Sequence, residues 1–163
     1  MTGIVTFVEN CGHSPAWRFI PSAVLELDEA GISFHPYQAP VWNDPCLLCS
    51  NEDGEMKGFL AYRYDHQRST WFILLAYTRP VYRRSGVHTT LFNALVERAK
   101  KRGDILAIDS GTHAGNHAAQ AAFEAQGRRK VAISYEFRLR DWLPGQPHLD
   151  LPGDHTTEVG DGG

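Results

Sequence analysis

A continuous apolar run, a basic turn and an amphipathic helix follow one another over residues 70–102, and they constrain the fold of this chain most. The run 71–77 shows no alternation with polar residues, which is typical of a central strand buried on both faces. After the turn, apolar residues recur at helical spacing from Val87 to Ala99, and Gly103 provides a stop. The sequence therefore predicts a strand over 70–78 and a helix from near Gly86 to Gly103.

The turn between these two elements is basic and contains a glycine. The first backbone N–H groups of the helix have no partner inside the helix, and they lie at the positive end of its dipole. Arg79, Arg83 and Arg84 precede the helix, where cations are otherwise disfavoured. We therefore expect the turn to bind an anionic group such as a pyrophosphate.

The turn also resembles a known motif. Its sequence, Pro-Val-Tyr at 80–82 followed by Arg-Arg-Ser-Gly-Val-His at 83–88, resembles motif A of the GNAT superfamily of acyl-CoA-dependent N-acetyltransferases, Arg/Gln-x-x-Gly-x-Gly/Ala. In that family the amides of the loop hold the pyrophosphate of coenzyme A, so the resemblance implies acetyl-CoA as co-substrate. It implies pyrophosphate contacts from Arg83, Arg84, Ser85, Gly86, Val87, His88 and Thr89, with His88 standing where the family has a small residue.

Residues 116–127 resemble motif B of the same family, which runs from an asparagine through an aromatic residue and a glutamate to a glycine. Asn116 is predicted to cap a helix that ends before Gly127. The resemblance places Asn116 and Phe123 beside coenzyme A. Two positions depart from the pattern: Phe123 replaces the tyrosine that often protonates the departing thiolate, and Arg128 replaces the usual aromatic residue.

The family geometry implies a further role for Tyr77 and Thr78. Where the strand ending at Thr78 and the strand 104–109 splay apart after a bulge, their unpaired amides bind the pantetheine arm and the thioester carbonyl. A backbone N–H near Tyr77 or Thr78 then lies where the oxyanion of the tetrahedral intermediate develops.

The acid and base of the transfer are less well marked. The strand 70–78 contains no Asp, Glu or His, so the carboxylate base that some family members carry there is missing. Asp109 and His113 follow the next strand, and histidine changes its charge near neutral pH, which suits a base. The alternative for His113 is a solvent-exposed loop histidine. Tyr135 is a candidate acid beside Tyr77 and Ser110, and each of the three also suits a packing or capping role.

Two segments that contain cysteine together offer four residues of the types that bind zinc: Cys11, His13, Cys46 and Cys49. Leu47 and Leu48 between the last two indicate a strand rather than a zinc knuckle, so we expect buried free thiols. An odd number of cysteines forms no disulfide framework and suits a reducing compartment. The cytoplasm is therefore the expected location.

The rest of the chain predicts an α/β fold of GNAT type, a mixed central sheet flanked by helices. Before the central strand we expect a strand over 3–8, a helix over 17–30 interrupted at Pro21, a loop over 32–45, and a hairpin of 46–50 with 56–64. After it, a short buried strand over 105–108 and a half-exposed strand over 131–139 complete the sheet.

Length and charge set the domain organisation. With 163 residues and 42% hydrophobic content, one domain over 1–143 is expected. Residues 144–163 contain three prolines, five glycines and four carboxylates without Lys or Arg, which predicts a disordered acidic tail. No apolar run is long enough to span a bilayer, so no membrane association is expected.

The expected function is transfer of an acetyl group from acetyl-CoA to an amine whose identity is open, by a monomer or a homodimer. One alternative is a toxin-type acetyltransferase that acts on aminoacyl-tRNA. The basic segment 128–130 permits contact with nucleic acid, but no aromatic interleaving or RNA-binding motif accompanies it. Another alternative is a catalytically silent module that binds coenzyme A, favoured by Phe123 and by the missing carboxylate.

Overall fold

The computed structural model describes residues 3–33 and 39–135, and these form a mixed five-stranded sheet flanked by helices. Four strands form an antiparallel meander: β1 (Ile4–Val8), β2 (Cys46–Ser50), β3 (Met56–Asp65) and β4 (Thr70–Thr78). The fifth, β5 (Ala107–Ser110), pairs in parallel with β4 and lies at the edge of the described sheet. The helices are α1 (Ile20–Glu29), α2 (Val87–Arg102) and α3 (His117–Ala125).

Two apolar cores cover the two faces of the sheet. Because successive side chains of a strand point to opposite faces, Leu60 packs with α2 on one face while Phe59 packs with α1 on the other. On the α2 face, Leu91 and Leu95 are almost completely buried between helix and sheet. The predicted strands 3–8, 46–50, 56–64 and 70–78 are confirmed, as is the helix that ends before Gly103.

Three details of the prediction are wrong. Pro21 does not interrupt the first helix; it lies in the first turn of α1, where a proline needs no amide hydrogen bond, and 15–19 form a separate 3₁₀ turn. β5 begins at Ala107 rather than at 105; it lies at the edge of the sheet that the described residues form, with one exposed and three half-buried residues. In β4, Phe72, Leu74 and Ala76 are only half-buried, and all three border a cleft.

The predicted strand over 131–139 is also wrong where the structure describes it. Residues 131–135 have no regular secondary structure, and Ile133 is 78% exposed. An alternating pattern supplies an apolar face, but a strand also needs a ladder of hydrogen bonds, and residues 131–135 form none with the other described residues. Residues 136–139 lie outside the described ranges.

By its internal contacts the chain divides into two compact units, Met1–Arg128 and Arg129–Gly163. Every helix and strand of the described residues belongs to the first unit. The predicted domain boundary after residue 143 and the predicted tail 144–163 lie outside the described residues and stay predictions. Within the described ranges, no helix is long and apolar enough to cross a membrane. Residues 39–45 form the predicted loop, and 34–38 lie outside the description.

Candidate active site

A cleft of about 670 Å³ opens where β4 and β5 part. One wall is α1, the floor is β4, and the other wall comprises the loop after β5 and the inner face of α3. It receives many of the residues predicted from the sequence: Tyr77, Thr78, Arg83, His88, His113, Asn116 and Phe123. The remaining predicted site residues do not line it: Arg84, Ser85, Gly86, Val87, Thr89, Asp109 and Tyr135.

A β-bulge marks the point where the two strands separate. In the register of β3 with β4, Ala61 faces Leu75 and Tyr62 faces Ile73, so Leu74 is an extra residue in β4. The pairing of β4 with β5 ends at the same level, with Ile73 opposite Ser110. A bulge bends its strand and ends regular pairing. The predicted bulge and divergence are therefore both present.

The divergence leaves backbone groups of β4 facing the cleft. The Arg79 amide donates to the Lys57 carbonyl at 2.9 Å, and in an antiparallel pair every second residue bonds to the partner strand. Tyr77 therefore directs its amide toward β3, whereas Thr78 and Ala76 direct theirs to the side from which β5 has parted. Of the two predicted oxyanion donors, this alternation favours Thr78.

The turn before α2 combines unpaired amides with a left-handed backbone. Gly86 caps the helix with φ +79°, and Arg84 has φ +61°, a conformation that a residue with a side chain rarely adopts. Thr90 donates to the Gly86 carbonyl at 2.9 Å, so the amides of residues 87–89 precede the first helical hydrogen bond. An added Cβ at Gly86 would meet no atom within 4 Å, so the space before the turn is open.

The three arginines of the turn have different surroundings. Arg79 does not face the turn's amides; its guanidinium contacts Glu55 at 2.6 Å and the Met56 carbonyl at 3.0 Å, so it anchors the turn to β3. Arg83 lies at the cleft, donates to the Thr78 carbonyl at 3.2 Å and forms an ion pair with Glu26 of α1. Arg84 is exposed beside the turn.

His88 links the start of α2 to the end of α3. Its Nδ1 accepts a hydrogen bond from the side-chain amide of Gln126 at 2.9 Å, and its ring stacks on Phe123 with centroids 6.0 Å apart. Burial, and then the nearby charge of Arg128, lowers the pKa of His88. A neutral imidazole at this position adds no charge to the turn. The Thr89 hydroxyl accepts from the same Gln126 amide at 3.2 Å.

The second predicted motif folds as expected. The Asn116 side chain accepts a hydrogen bond from the Ala119 amide at 3.1 Å and so caps α3, which ends at Ala125. Phe123 projects from α3 into the cleft. The end of α3 thus carries an aromatic ring but no phenol.

Arg128, which the sequence marks as a departure from motif B and as part of the basic segment 128–130, is a prominent cation of the cleft. Its guanidinium carbon lies 3.7 Å from the ring centre of Phe92 and 4.3 Å from that of Phe123. Its Nη1 donates to the Ser110 hydroxyl at 2.8 Å, at the fork between β4 and β5. Burial lowers the pKa of Arg128 to about 10, so the group remains charged at neutral pH. Arg128 therefore cannot serve an exposed basic patch over 128–130.

The predicted acid and base candidates are dispersed. The His113 ring lines the cleft, but its Nδ1 accepts from the Gly115 amide at 3.0 Å, so the neutral ring carries its proton on Nε2. Asp109 forms an ion pair with Arg68 at 3.2 Å. Tyr135 is 91% exposed in the second unit. Among the candidate acids, Tyr77 and Ser110 line the cleft.

The cysteine segments do not converge. Cys46 and Cys49 are three residues apart in β2, so they point to opposite faces of the sheet and belong to different cores. Cys11, Cys46 and Cys49 are buried free thiols, as predicted, and burial raises the pKa of each. Among the described residues, no group of three or more His, Cys, Asp or Glu could hold a metal ion.

Comparison with known proteins agrees with this geometry. The model of the acetyltransferase (GNAT) family matches residues 16–127. A search among curated proteins finds no match. Among solved structures, an aminoglycoside acetyltransferase from an uncultured soil metagenomic sample superposes with a TM-score of 0.59 at 16% identity, covering 85% of this chain and 99% of that one.

Two further structures contain coenzyme A. The aminoglycoside N-acetyltransferase AAC(6')-Iy in complex with CoA has a TM-score of 0.56 and 19% identity, covering 83% of this chain and 99% of that one. N-acetylglutamate synthase from Neisseria gonorrhoeae, complexed with coenzyme A and N-acetyl-glutamate, superposes with a TM-score of 0.54 at 16% identity. The match covers 76% of this chain and 28% of that one. These likenesses concern the fold. Because the family model spans most of the described residues, the chain belongs to the GNAT acetyltransferase family.

Proposed function

We propose that this protein transfers an acetyl group from acetyl-CoA to a primary amine. The observation that carries the proposal is the position of the unpaired amides at the start of α2, beside the cleft into which the parted edge of β4 faces. Those amides suit the pyrophosphate, because a helix N-terminus favours anions. CoA in the AAC(6')-Iy and N-acetylglutamate synthase structures agrees with acetyl-CoA as the co-substrate.

The parted edge of β4 suits the thioester. The amides of Ala76 and Thr78 are directed to the opened side, where an extended pantetheine arm can pair with them as a further strand would. The Thr78 amide is then placed to donate to the oxyanion, an interaction whose removal typically costs about 10²–10³ in rate. The acceptor amine attacks the thioester carbonyl; a C–N bond forms, the C–S bond breaks, and coenzyme A leaves as its thiol.

Proton transfer in this cleft relies little on side chains. Glu26 is the one carboxylate among the described residues that line the cleft, and Arg83 pairs with it. His113 accepts a proton at Nδ1 only if its hydrogen bond with the Gly115 amide opens. We therefore assign deprotonation of the amine to water, with His113 as a secondary base. Tyr77 is the candidate acid for the thiolate, in place of the tyrosine missing at Phe123, and Tyr135 is a weaker candidate acid. Asp109, which pairs with Arg68, is a weaker candidate base.

A thiol-release assay with acetyl-CoA and a panel of amines tests this function. We expect release of free CoA that depends on the amine, together with an acetylated product in the mass spectrum. Tight binding of acetyl-CoA without transfer to any amine would instead support the silent module, which the scarcity of free carboxylates in the cleft favours. Absence of acetyl-CoA binding would contradict both.

A further inference from the structure

The cleft contains a buried cation whose hydrogen-bonding capacity is only partly used. Arg128 donates through Nη1 to Ser110, but its Nε and Nη2 are buried and have no hydrogen-bond partner among the described residues. None of the ion pairs among residues 3–33 and 39–135 includes Arg128. Burying a charged group without an anion is costly, and two stacked rings compensate only part of that cost. This arrangement calls for an anionic ligand.

The unused edge of Arg128 has the shape for a carboxylate. Nε and Nη2 lie on one side of the planar guanidinium, and such an edge binds both oxygens of a carboxylate in parallel. The same protein shows this geometry elsewhere, since Arg63 donates from Nε and Nη2 to the two oxygens of Asp44 at 2.8 and 2.6 Å. Phe92 and Phe123 fix the plane of the Arg128 guanidinium in advance.

The position of Arg128 separates it from the phosphate turn. Its partner Phe92 lies five residues after Val87 in α2, about 7.5 Å further along the helix axis. Its other partner, Ser110, lies at the fork between β4 and β5, level with the bulge. An anion bound here is therefore closer to the fork than to the amides that suit the pyrophosphate.

The charge distribution of the cleft also favours an anionic ligand. Its charged residues of fixed sign, among those described, are Glu26, Arg83 and Arg128, and the first two form an ion pair. Arg128, the remaining cation, has no counter-charge among the lining residues that the structure describes. A polycationic amine would be repelled at this site, whereas an amine that carries a carboxylate would be attracted.

We infer that the acceptor is an amine bearing a carboxylate, such as an amino acid, and that Arg128 binds this carboxylate at the fork of β4 and β5. The inference rests on the proposed acetyl transfer and specifies its substrate class. Arg128 is thus a specificity-determining residue, and Phe92, Phe123 and Ser110 hold its guanidinium in place.

Matched acceptor pairs test the inference. Amino acids and their carboxamides are compared as acceptors by kcat/KM with acetyl-CoA. The carboxamide makes the neighbouring amine less basic, so intrinsic reactivity near neutral pH favours the carboxamide. We expect the parent protein to prefer the carboxylate nonetheless, by about 10–100-fold, the factor that a hydrogen bond to a charged group typically contributes.

The Arg128→Met variant should lose this preference and keep its affinity for acetyl-CoA within about threefold. Arg129→Met, at the exposed neighbouring arginine, is the matched control and should retain the preference. If Arg128→Met does not fold, Arg128→Lys decides: a reduced preference supports the inference and an unchanged one contradicts it. Equal use of carboxamides by the parent overturns the inference.

Two further outcomes separate the sources of the anion and the two proposals. If Arg128→Met weakens acetyl-CoA binding while the carboxylate preference persists, the anion is a phosphate of coenzyme A and the inference is wrong. Acetylation of polycationic amines in preference to amino acids overturns the inference but leaves the proposed function standing. A parent protein that does not bind acetyl-CoA overturns both.

Discussion

The two ends of α2 carry the same backbone conformation but differ in how their polar groups are satisfied. Gly86 before the helix has φ +79°, and Gly103 after it has φ +85°. At the C-terminal end the Gly103 amide donates to the Ala99 carbonyl at 3.0 Å, and Arg102 pairs with Asp104. At the N-terminal end no side chain caps the helix, and the amides of residues 87–89 donate no hydrogen bond to the described residues.

This difference separates a structural glycine from a functional one. The C-terminal end satisfies its own polar groups and opposite charges accompany its cations, so it needs no ligand. The N-terminal end leaves donors and positive potential beside a cleft, and Arg84, two residues before Gly86, adopts a strained φ of +61°. Backbone N–H groups that the fold leaves without a hydrogen-bond partner are therefore a better guide to a ligand site than a glycine alone.

The largest expected effect is a loss of stability near the C-terminal end of α2, in the loop that contains Asp44. Its buried carboxylate accepts from Arg63 twice and from the Val41 amide at 2.7 Å. Asp44→Ala should cost about 3 kcal/mol, discounted because Arg63 is partly exposed, and lower Tm by about 6–12 °C. Calorimetry measures this, and the affinity of the folded variant for acetyl-CoA should not change. A large loss of affinity would show that the two ends are coupled.

The second effect compares the two glycines directly. Gly86→Ala and Gly103→Ala both place a Cβ at positive φ in open space, so each should destabilise the fold by about 1–2 kcal/mol. Only Gly86→Ala should weaken acetyl-CoA binding, by about 10–100-fold, because it disturbs amides that bind the pyrophosphate. Titration calorimetry on both variants makes the comparison. Equal losses of affinity would refute the assignment of the turn.

The third effect concerns the wall of the cleft. Phe123→Tyr keeps the ring between His88 and Arg128 and adds a phenol. A well-placed general acid typically raises the rate by about 10²–10⁴-fold. Because thiolate is a good leaving group, we expect kcat to rise by about 10²-fold or less. Steady-state rates of thiol release measure it. A fall in kcat with unchanged stability would mean that the hydroxyl obstructs the acyl group.

The smallest expected effect is a pH dependence of stability caused by His88, at the N-terminal end of α2. Because the pKa of His88 is lowered in the folded protein, the unfolded chain binds its proton more readily. The stability it contributes is complete above the ordinary value of 6.5 and is lost as the pH falls from there through the lowered pKa. His88→Asn keeps an acceptor for Gln126 but does not titrate, so its Tm should fall less between pH 7.5 and pH 5.5, roughly one unit either side of the ordinary histidine pKa. Parallel curves would exclude His88 as the cause.

The sequence predicted the features that depend on local periodicity. The strand at 70–78, the turn, α2 and the Asn116 cap are all encoded within about ten neighbouring residues, where propensity and capping act. The cleft depends on pairs that are distant in sequence. Arg83 and Glu26 are 57 residues apart, and Arg128 meets Ser110 and Phe92 only after the sheet has formed.

The same distinction explains what a single segment leaves open. The CxxC pattern brings two cysteines close in sequence, and the strand places them on opposite faces, in agreement with the buried free thiols predicted there. The alternation at 131–139 predicted a strand from one segment, although a strand requires a partner. His113 was chosen for its residue type, and only the hydrogen bond from the Gly115 amide shows that its acceptor nitrogen is already engaged.

The most direct measurement is a ¹⁵N–¹H NMR titration of the whole protein with CoA. We expect large shifts of the amide resonances of residues 86–89 at the N-terminal end of α2 and of Ala76 and Thr78 on the parted edge of β4. The amide of Gly103 donates a hydrogen bond to the Ala99 carbonyl at the C-terminal end of α2, and its resonance should not shift. Shifts centred on Gly103, or no shifts at saturating CoA, would contradict the claim that the unsatisfied end of α2 binds the cofactor.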